Sequence, residues 1–304
     1  MTSNWVATSS SDASLPFAGK PVTPFREETR LQRRRSFANR AYKAYASTSA
    51  ASASDAADSK RYALLPVRER AMPQSLLRNQ LLKALSPEDF ALLQPAMRHV
   101  ELDIKARLEI AYQPIEHVYF PEAGIASVVA TMTGGRQSEV GIIGYDGMTG
   151  VAVLLGQDRS SNETYIQVAS KGWSLPVENL RSAISESLSL RESLLRYAHA
   201  FLVQSSRTAL VNGHSKIEER LARWLLMVHD RAEGSKIYLT HEFLATMLGA
   251  RRPGVTTALQ MLEYRGLVHA KRGEITIVDR AGMIKLTHGA YGEEEQRYFG
   301  LASA

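Results

Sequence analysis

The stretch Leu239 to Val268, LTHEFLATMLGARRPGVTTALQMLEYRGLV, constrains this chain more than any other. Phe243, Leu244, Met247 and Leu248 form an apolar stripe at helical spacing, which predicts a short helix from about His241 to Leu248. Thr240 stands where a hydroxyl can take an unpaired backbone N–H, and Gly249 stands where a helix ends in a left-handed residue. Pro253 falls at the first turn of a second helix, where its missing N–H costs nothing. Val255, Ala258, Leu259, Met261 and Leu262 give that second helix a buried side, and Gly266 closes it. Two helices across a short Gly-containing turn make a helix-turn-helix, whose second helix leads into the major groove with its N-terminal residues. Here these include Arg251, Arg252, Gly254, Thr256 and Thr257. The bland alternative is a helical hairpin with two solvated arginines.

The next segment weighs against that alternative. Val268 to Val278 (VHAKRGEITIV) predicts two short strands around a Gly-containing turn, with Lys271 and Arg272 at the tip. A basic hairpin after the second helix makes the motif winged, and its tip would meet phosphates.

On these residues the chain resembles the Crp/Fnr family of bacterial transcription regulators. LTHEFLATMLGARRPGVTTALQMLE looks like the family's DNA-binding region, and IEERLARWLLMVHDR (Ile217 to Arg231) resembles the helix before it. The resemblance covers roughly Leu76 to Val278. It implies an α+β chain: an N-terminal antiparallel β-roll, jelly-roll-like, then a long dimerisation helix and a C-terminal winged helix-turn-helix. The family's first base-reading arginine matches Arg252. Its next glutamate is replaced by Pro253 and its second arginine by Thr257, so the half-site should differ from the usual one. The DNA-binding set assigned from sequence is Thr240, His241, Arg251, Arg252, Gly254, Thr256, Thr257, Gln260, Lys271 and Arg272. Arg252 is expected to read a guanine, with Thr240, Thr256, Lys271 and Arg272 holding phosphates.

Charge is divided accordingly. Residues 204–280 carry 12 Lys/Arg and 8 Asp/Glu, whereas residues 71–203 carry 11 and 14. A positive DNA-binding part and a negative sensor part suit a regulator. The chain has no cysteine, which excludes disulfides, zinc–cysteine sites and cysteine-held iron–sulfur clusters, an Fnr-like clustered oxygen sensor included. No run approaches a membrane span and no secretory signal is apparent, so a cytoplasmic protein is expected. Enzyme readings find no support. His241-Glu242 lacks a second metal-binding histidine, the glycines from Gly144 to Gly150 lack the Lys-Ser/Thr of a phosphate loop, and no metal is expected.

The domains expected are an extension over 1–71, a sensor β-roll over 72–186, a dimerisation helix and hinge over 187–213, the DNA-binding domain over 214–290 and a tail over 291–304. The extension is Ser/Ala-rich with a basic cluster from Arg30 to Arg40. It reads either as an arm adding non-specific DNA affinity or as an unstructured tail, and the tail is preferred, with Met72 an alternative start. Leu76 to Met97 predicts two short amphipathic helices, the second beginning at Ser86-Pro87-Glu88-Asp89. From Arg98 to about Leu175 the period turns to that of strands, starting with the alternation of Leu102, Ile104 and Ala106.

In the resembled family the β-roll holds a cyclic nucleotide through a Gly-Glu turn, for the ribose, and a later Arg-Ser pair, for the phosphate. Here the turn reads Gly150-Val151, and Arg159-Ser160 falls a few residues early, leaving Asn162 and Glu163 in the matching places. Gly150, Val151, Arg159 and Ser160 are therefore candidate effector-pocket residues only. No cofactor is expected, a cyclic nucleotide least of all, and any other effector is unknown.

Ser187 to Val211 predicts a long helix. Leu190, Leu194, Tyr197, Phe201, Gln204, Thr208 and Val211 repeat at spacings of 4 and 3, a heptad seam assigned to a homodimer; Leu195, Ala198 and Leu202 form a second apolar face. Asn212-Gly213-His214-Ser215 is expected to break the helix as a hinge. The partners implied are double-stranded DNA, a second copy and, as a candidate, RNA polymerase. The alternative is a ligand-sensing or scaffold protein whose winged helix contacts protein.

Overall fold

In a computed structural model, residues 73–232 and 236–292 are described. The extension expected over residues 1–71, Met72 and all of the C-terminal tail past Gly292 lie outside the described residues.

Helices α1 (Gln80–Ala84) and α2 (Pro87–Leu93) come first, capped by Asn79 and Ser86, whose side chains accept the N–H of Leu82 and of Asp89. Seven strands follow: β1 (Arg98–Leu102), β2 (Arg107–Glu109), β3 (His117–Pro121), β4 (Ile125–Thr131), β5 (Gln137–Ile143), β6 (Glu163–Val168) and β7 (Ser170–Pro176). Helix α3 (Val151–Leu154) sits between β5 and β6. The strands form two antiparallel sheets, one ordered β1-β7-β3 and the other β2-β6-β4-β5. The alternation of Leu102, Ile104 and Ala106 is not a strand. β1 stops at Leu102, Lys105 takes a positive φ of 70°, and the Ala106 N–H closes a turn onto the Asp103 carbonyl at 2.9 Å.

Helices α4 (Val177–Glu186) and α5 (Leu188–His214) lead away from β7. Ser187 caps α5, accepting the Leu190 N–H at 3.1 Å. Leu190, Leu194 and Tyr197 join the core under the β1-β7-β3 sheet, with Val118, Phe120 and Leu175. The Tyr197 hydroxyl donates to the Met148 carbonyl at 2.6 Å. Phe201 packs with Leu102 of β1 and with Ala126, Ile143 and Ile166 of the second sheet, close enough that a methyl on Gly141 would stand 2.8 Å from its ring. Gln204 binds Ile142 from both ends of its amide, accepting its N–H at 2.7 Å and donating to its carbonyl at 3.2 Å.

This corrects the seam. Leu190, Leu194, Tyr197, Phe201, Gln204 and Val211 are buried within their own chain, and the Thr208 hydroxyl donates to the Gln204 carbonyl at 3.0 Å. A heptad pattern records a helix face that must be covered, not what covers it. The uncovered side of α5 carries Leu188, Leu195, Leu202 and Leu210, exposed at 60%, 42%, 62% and 50%. The hinge is also displaced. α5 runs on through Asn212, Gly213 and His214, and the chain turns only at Ser215 and Lys216, both extended.

Helix α6 (Ile217–Arg231) then carries the chain into the third unit: β8 (Lys236–Tyr238), α7 (His241–Met247), α8 (Arg252–Tyr264), β9 (Val268–Lys271), β10 (Glu274–Ile277) and α9 (Arg280–Leu286). One apolar core runs from Ile125, Val129 and Ile142 of the second sheet through Leu221, Trp224, Leu225 and Val228 of α6 to Leu244, Val255, Leu259 and Leu262 of the motif. Beside it lies a buried ion pair. Arg231 donates from Nε to Asp146 Oδ1 at 3.1 Å and from Nη2 to Oδ2 at 2.6 Å, with side-chain exposures of 1% and 0%.

Removing one member of such a pair strands a buried charge. Arg231→Ala is expected to cost about 3–5 kcal/mol of unfolding free energy, measured by urea titration. A loss below about 1 kcal/mol would contradict the reading of Asp146 as dependent on this arginine.

Candidate nucleic-acid interface

Local chemistry fixes the two motif helices relative to each other. Thr240 caps α7, its hydroxyl oxygen accepting the Phe243 N–H at 3.2 Å. Gly249 follows α7 with a φ of +55°, and the Ala250 N–H bonds back to the Ala245 carbonyl at 2.8 Å. Pro253 occupies the first turn of α8, as the sequence predicts. His241 Nδ1 lies 2.9 Å from the Thr256 hydroxyl, joining the start of α7 to α8. From behind, Arg220 of α6 donates to the Leu248 carbonyl and, through Nε, to Asn212 Oδ1 at 3.1 Å.

The outer face of α8 presents Arg251, Arg252, Thr257 and Gln260, all exposed. Arg252 lies 3.9 Å from Glu242 with both side chains largely in solvent, so the pair is weak and leaves the guanidinium available. Lys271 and Arg272 are exposed at the turn between β9 and β10. Three residues of the sequence-derived set stand elsewhere, one of them His241, half-buried against Thr256. Thr256 is half-buried, its hydroxyl donating to the Arg252 carbonyl at 3.1 Å and meeting His241, so it serves the joint between the helices. Gly254 is half-buried too, and a methyl there would stand 3.3 Å from Ile217 Cδ1, so its smallness admits α6. The sequence reading missed Tyr264. It is 89% exposed and follows Thr257 and Gln260 at helical spacing on the outward stripe. An aromatic residue outside the apolar stripe was the available signal.

The wing is larger than expected. β8 adds a third strand, giving the order β8-β10-β9 with β10 central. Glu263 at the end of α8 accepts the Ala270 N–H at 3.0 Å, tying helix to wing. Arg280 of α9 donates to Asp230 at 2.6 Å and to the Tyr291 hydroxyl at 2.8 Å, closing the domain onto the end of α6.

The candidate effector residues do not form a constellation. Gly150, with a φ of +79°, is pressed on Val118, where a methyl would approach to 2.5 Å, and its N–H donates to the buried Glu109 carboxylate at 2.8 Å. Burial holds the Glu109 carboxyl above the usual range, against the pull of that N–H. Val151 packs against the apolar cores. Arg159 lies at the surface, donating to the Tyr112 carbonyl at 3.2 Å, and the Ser160 hydroxyl accepts the Asn162 N–H at 3.0 Å.

A basic wing beside an exposed Arg/Thr helix face, on a helix-turn-helix frame, defines a DNA-binding transcription regulator. Residues 219–286 match the Crp-like helix-turn-helix domain. A CRP-like cAMP-activated global transcriptional regulator of Mycobacterium tuberculosis is 24% identical over 217 residues, which are 68% of this chain and 96% of that protein. In fold the chain is similar to a regulator of the Crp/Fnr family from Eubacterium rectale, with a TM-score of 0.57, 16% identity, and coverage of 69% of this chain and 98% of the other. It is also similar to FixK2 of Bradyrhizobium japonicum, with a TM-score of 0.56, 17% identity, and coverage of 62% and 96%. The chain is a DNA-binding transcription regulator that carries a Crp-like helix-turn-helix domain. Among the described residues no helix is long and apolar enough to cross a membrane.

Gly249 carries the geometry of the turn, since its backbone is left-handed and a methyl would stand 3.1 Å from Ser138 Oγ. Gly249→Ala is expected to lower stability by about 1–2 kcal/mol, seen as a fall in Tm, while sparing the far side of the β-roll. An unchanged Tm would show that the turn tolerates a side chain.

Proposed function

We propose that this regulator binds a pseudo-palindromic operator as a homodimer, in the cytoplasm, with Arg252 reading a guanine in each half-site and with no cyclic nucleotide required. The observation that carries the reading is the α8 face, where Arg252 is exposed and, among the described residues, its guanidinium meets a solvated carboxylate at 3.9 Å. Thr257 and Gln260 continue that face, while Thr240, Lys271 and Arg272 stand where phosphates would pass. Two recognition helices must reach major grooves about 34 Å apart, which requires two copies. The leucines left outside on α5 offer the second copy a surface: Leu188, Leu195 and Leu202 recur at heptad spacing.

The absence of a nucleotide requirement rests on chemistry. The turn that would hold a ribose offers Val151 in place of a carboxylate, and Arg159 is spent on a backbone carbonyl. Phe201 and Ile166 share one apolar cluster where α5 meets the second sheet, and Val151 packs against it. The Mycobacterium tuberculosis relative is a cAMP-activated regulator, whereas the reading proposed for this chain needs no cyclic nucleotide.

Enrichment of a genomic fragment library on the purified protein, with and without cyclic AMP and cyclic GMP, should return one palindromic motif in every arm. Enrichment only with nucleotide would overturn the ligand-free reading. Arg252→Ala should then lose about 1–3 kcal/mol on that motif and little on random duplex. Equal loss on both would assign Arg252 to the phosphates. Leu195→Glu with Leu202→Glu should turn the dimer into a monomer by sedimentation and abolish binding to the full palindrome. A variant that stays dimeric would exclude the outward stripe of α5 as the seam.

A further inference from the structure

Where α6 meets the sensor sheet, a carboxyl is shut away from water. Glu139 of β5 is 4% exposed. Its Oε1 accepts the indole N–H of Trp224, from α6, at 2.6 Å. Its Oε2 lies 2.6 Å from the hydroxyl of Ser127, on β4. The same hydroxyl meets Oε1 of Gln167, on β6. Ser127 has one proton and faces two acceptor oxygens, so the arrangement closes only if a proton is added or an amide turns. With Glu139 neutral, its O–H donates to Ser127, Ser127 donates to Gln167, and Trp224 still donates to Oε1. With Glu139 ionised, Ser127 must donate to Glu139, and Gln167 must rotate to offer its N–H. As placed, Gln167 Nε2 is buried with no hydrogen-bond partner among the described residues.

The network has two proton states, and it lies across the junction of two functional halves. Trp224 belongs to the helix that carries the DNA-binding domain, and its ring stands 6.3 Å from Phe243 of α7. We propose that Glu139, Ser127, Gln167 and Trp224 form a proton-operated latch that holds α6 and the helix-turn-helix on the sensor sheet when Glu139 is neutral and loosens that hold when it ionises. The device lets the sensor half hold or free the motif without a small-molecule effector, and it stands independently of which operator is read.

The surroundings of Glu139 favour the neutral state. Arg223 and Arg231 of α6 are the cations that bear on it, and Arg231 is already bound by Asp146 of the loop after β5. Tyr165 of β6 is the other titratable neighbour, and its own hydroxyl is pushed up to about 12 by burial and by Glu139. Burial pushes the Glu139 carboxyl up to about 8, against the lowering effect of Ser127, Trp224 and the two arginines. The sign follows. The folded chain keeps a proton that an unfolded chain gives up near 4.5, so stability from this group is present on the acid side. It declines as pH rises through that window towards about 8.

The test uses the full chain with Trp5→Phe and Trp173→Phe, which leaves Trp224 as the only indole. Its emission should shift to the red with a midpoint near 8, and adding Glu139→Gln, which keeps a neutral amide in the network, should abolish the shift. The Tm of Glu139→Gln should match that of the parent at pH 5 and exceed it at pH 9. Ser127→Ala, which deprives the carboxylate of a donor, should move the midpoint upward; this arm stands even if Glu139→Gln fails to fold. A red shift that survives in Glu139→Gln, a midpoint unmoved by Ser127→Ala, or no shift between pH 5 and pH 9.5 would each overturn the latch.

Discussion

The structure depends on one helix that has almost no free side. α6 buries Leu221, Ala222, Trp224, Leu225, Leu226, Met227 and Val228, and with them Arg223 and Arg231. A helix buried nearly all round must be enclosed, and here the enclosure has two parts. The second sheet of the β-roll supplies Ile125, Val129 and Ile142, and the motif helices supply Leu244, Val255, Leu259 and Leu262. Neither part alone would cover it. The two charged side chains it buries are met from both directions, Arg231 by Asp146 of the sensor half and Arg223 Nε by the Ala290 carbonyl beyond α9.

With its inner side so fixed, α8 has little choice about what it shows outward. Val255, Ala258, Leu259 and Leu262 turn in, and Thr257, Gln260 and Met261 turn out. Arg251 and Arg252 come at the N-terminal end because Pro253 starts the helix there. The same packing sorts the polar residues. Thr257 and Gln260 reach solvent, while Thr256 is drawn to His241 and Gly254 gives way to Ile217. A recognition surface thus arises as the remainder of a packing problem.

Much of this was legible in the residues. The caps at Thr240 and Ser86, the left-handed Gly249 and the proline at the start of α8 are local signals, and local physics decides them. What failed to show was anything that depends on which neighbour covers a face. The pattern from Leu190 to Val211 stated that a side of α5 is apolar, yet could not state that the sheet of its own chain lies against it. β8, three residues long, is too short to display a period, and Lys105 sits in a turn inside what reads as an alternating strand. Among the candidate pocket residues, Gly150 and Arg159 are near in sequence, but one is committed to the core and the other to a surface carbonyl. The buried Glu139 gave no sign at all, because a carboxylate in an alternating strand reads as solvent-facing until Trp224, far along the chain, is folded over it.

The outward stripe of α5 has a consequence for how such a protein would respond to its own abundance. Between Leu188, Leu195 and Leu202 stand Glu192 and His199, and after them Ser206, all exposed. A seam with one leucine per heptad and polar residues in the alternate layers is thin by the standards of two-position coiled coils. Two copies joined there would separate readily when dilute, and DNA carrying two half-sites would draw them together. Operator occupancy would then follow the square of the free monomer concentration, so a modest change in synthesis would act as a steep switch.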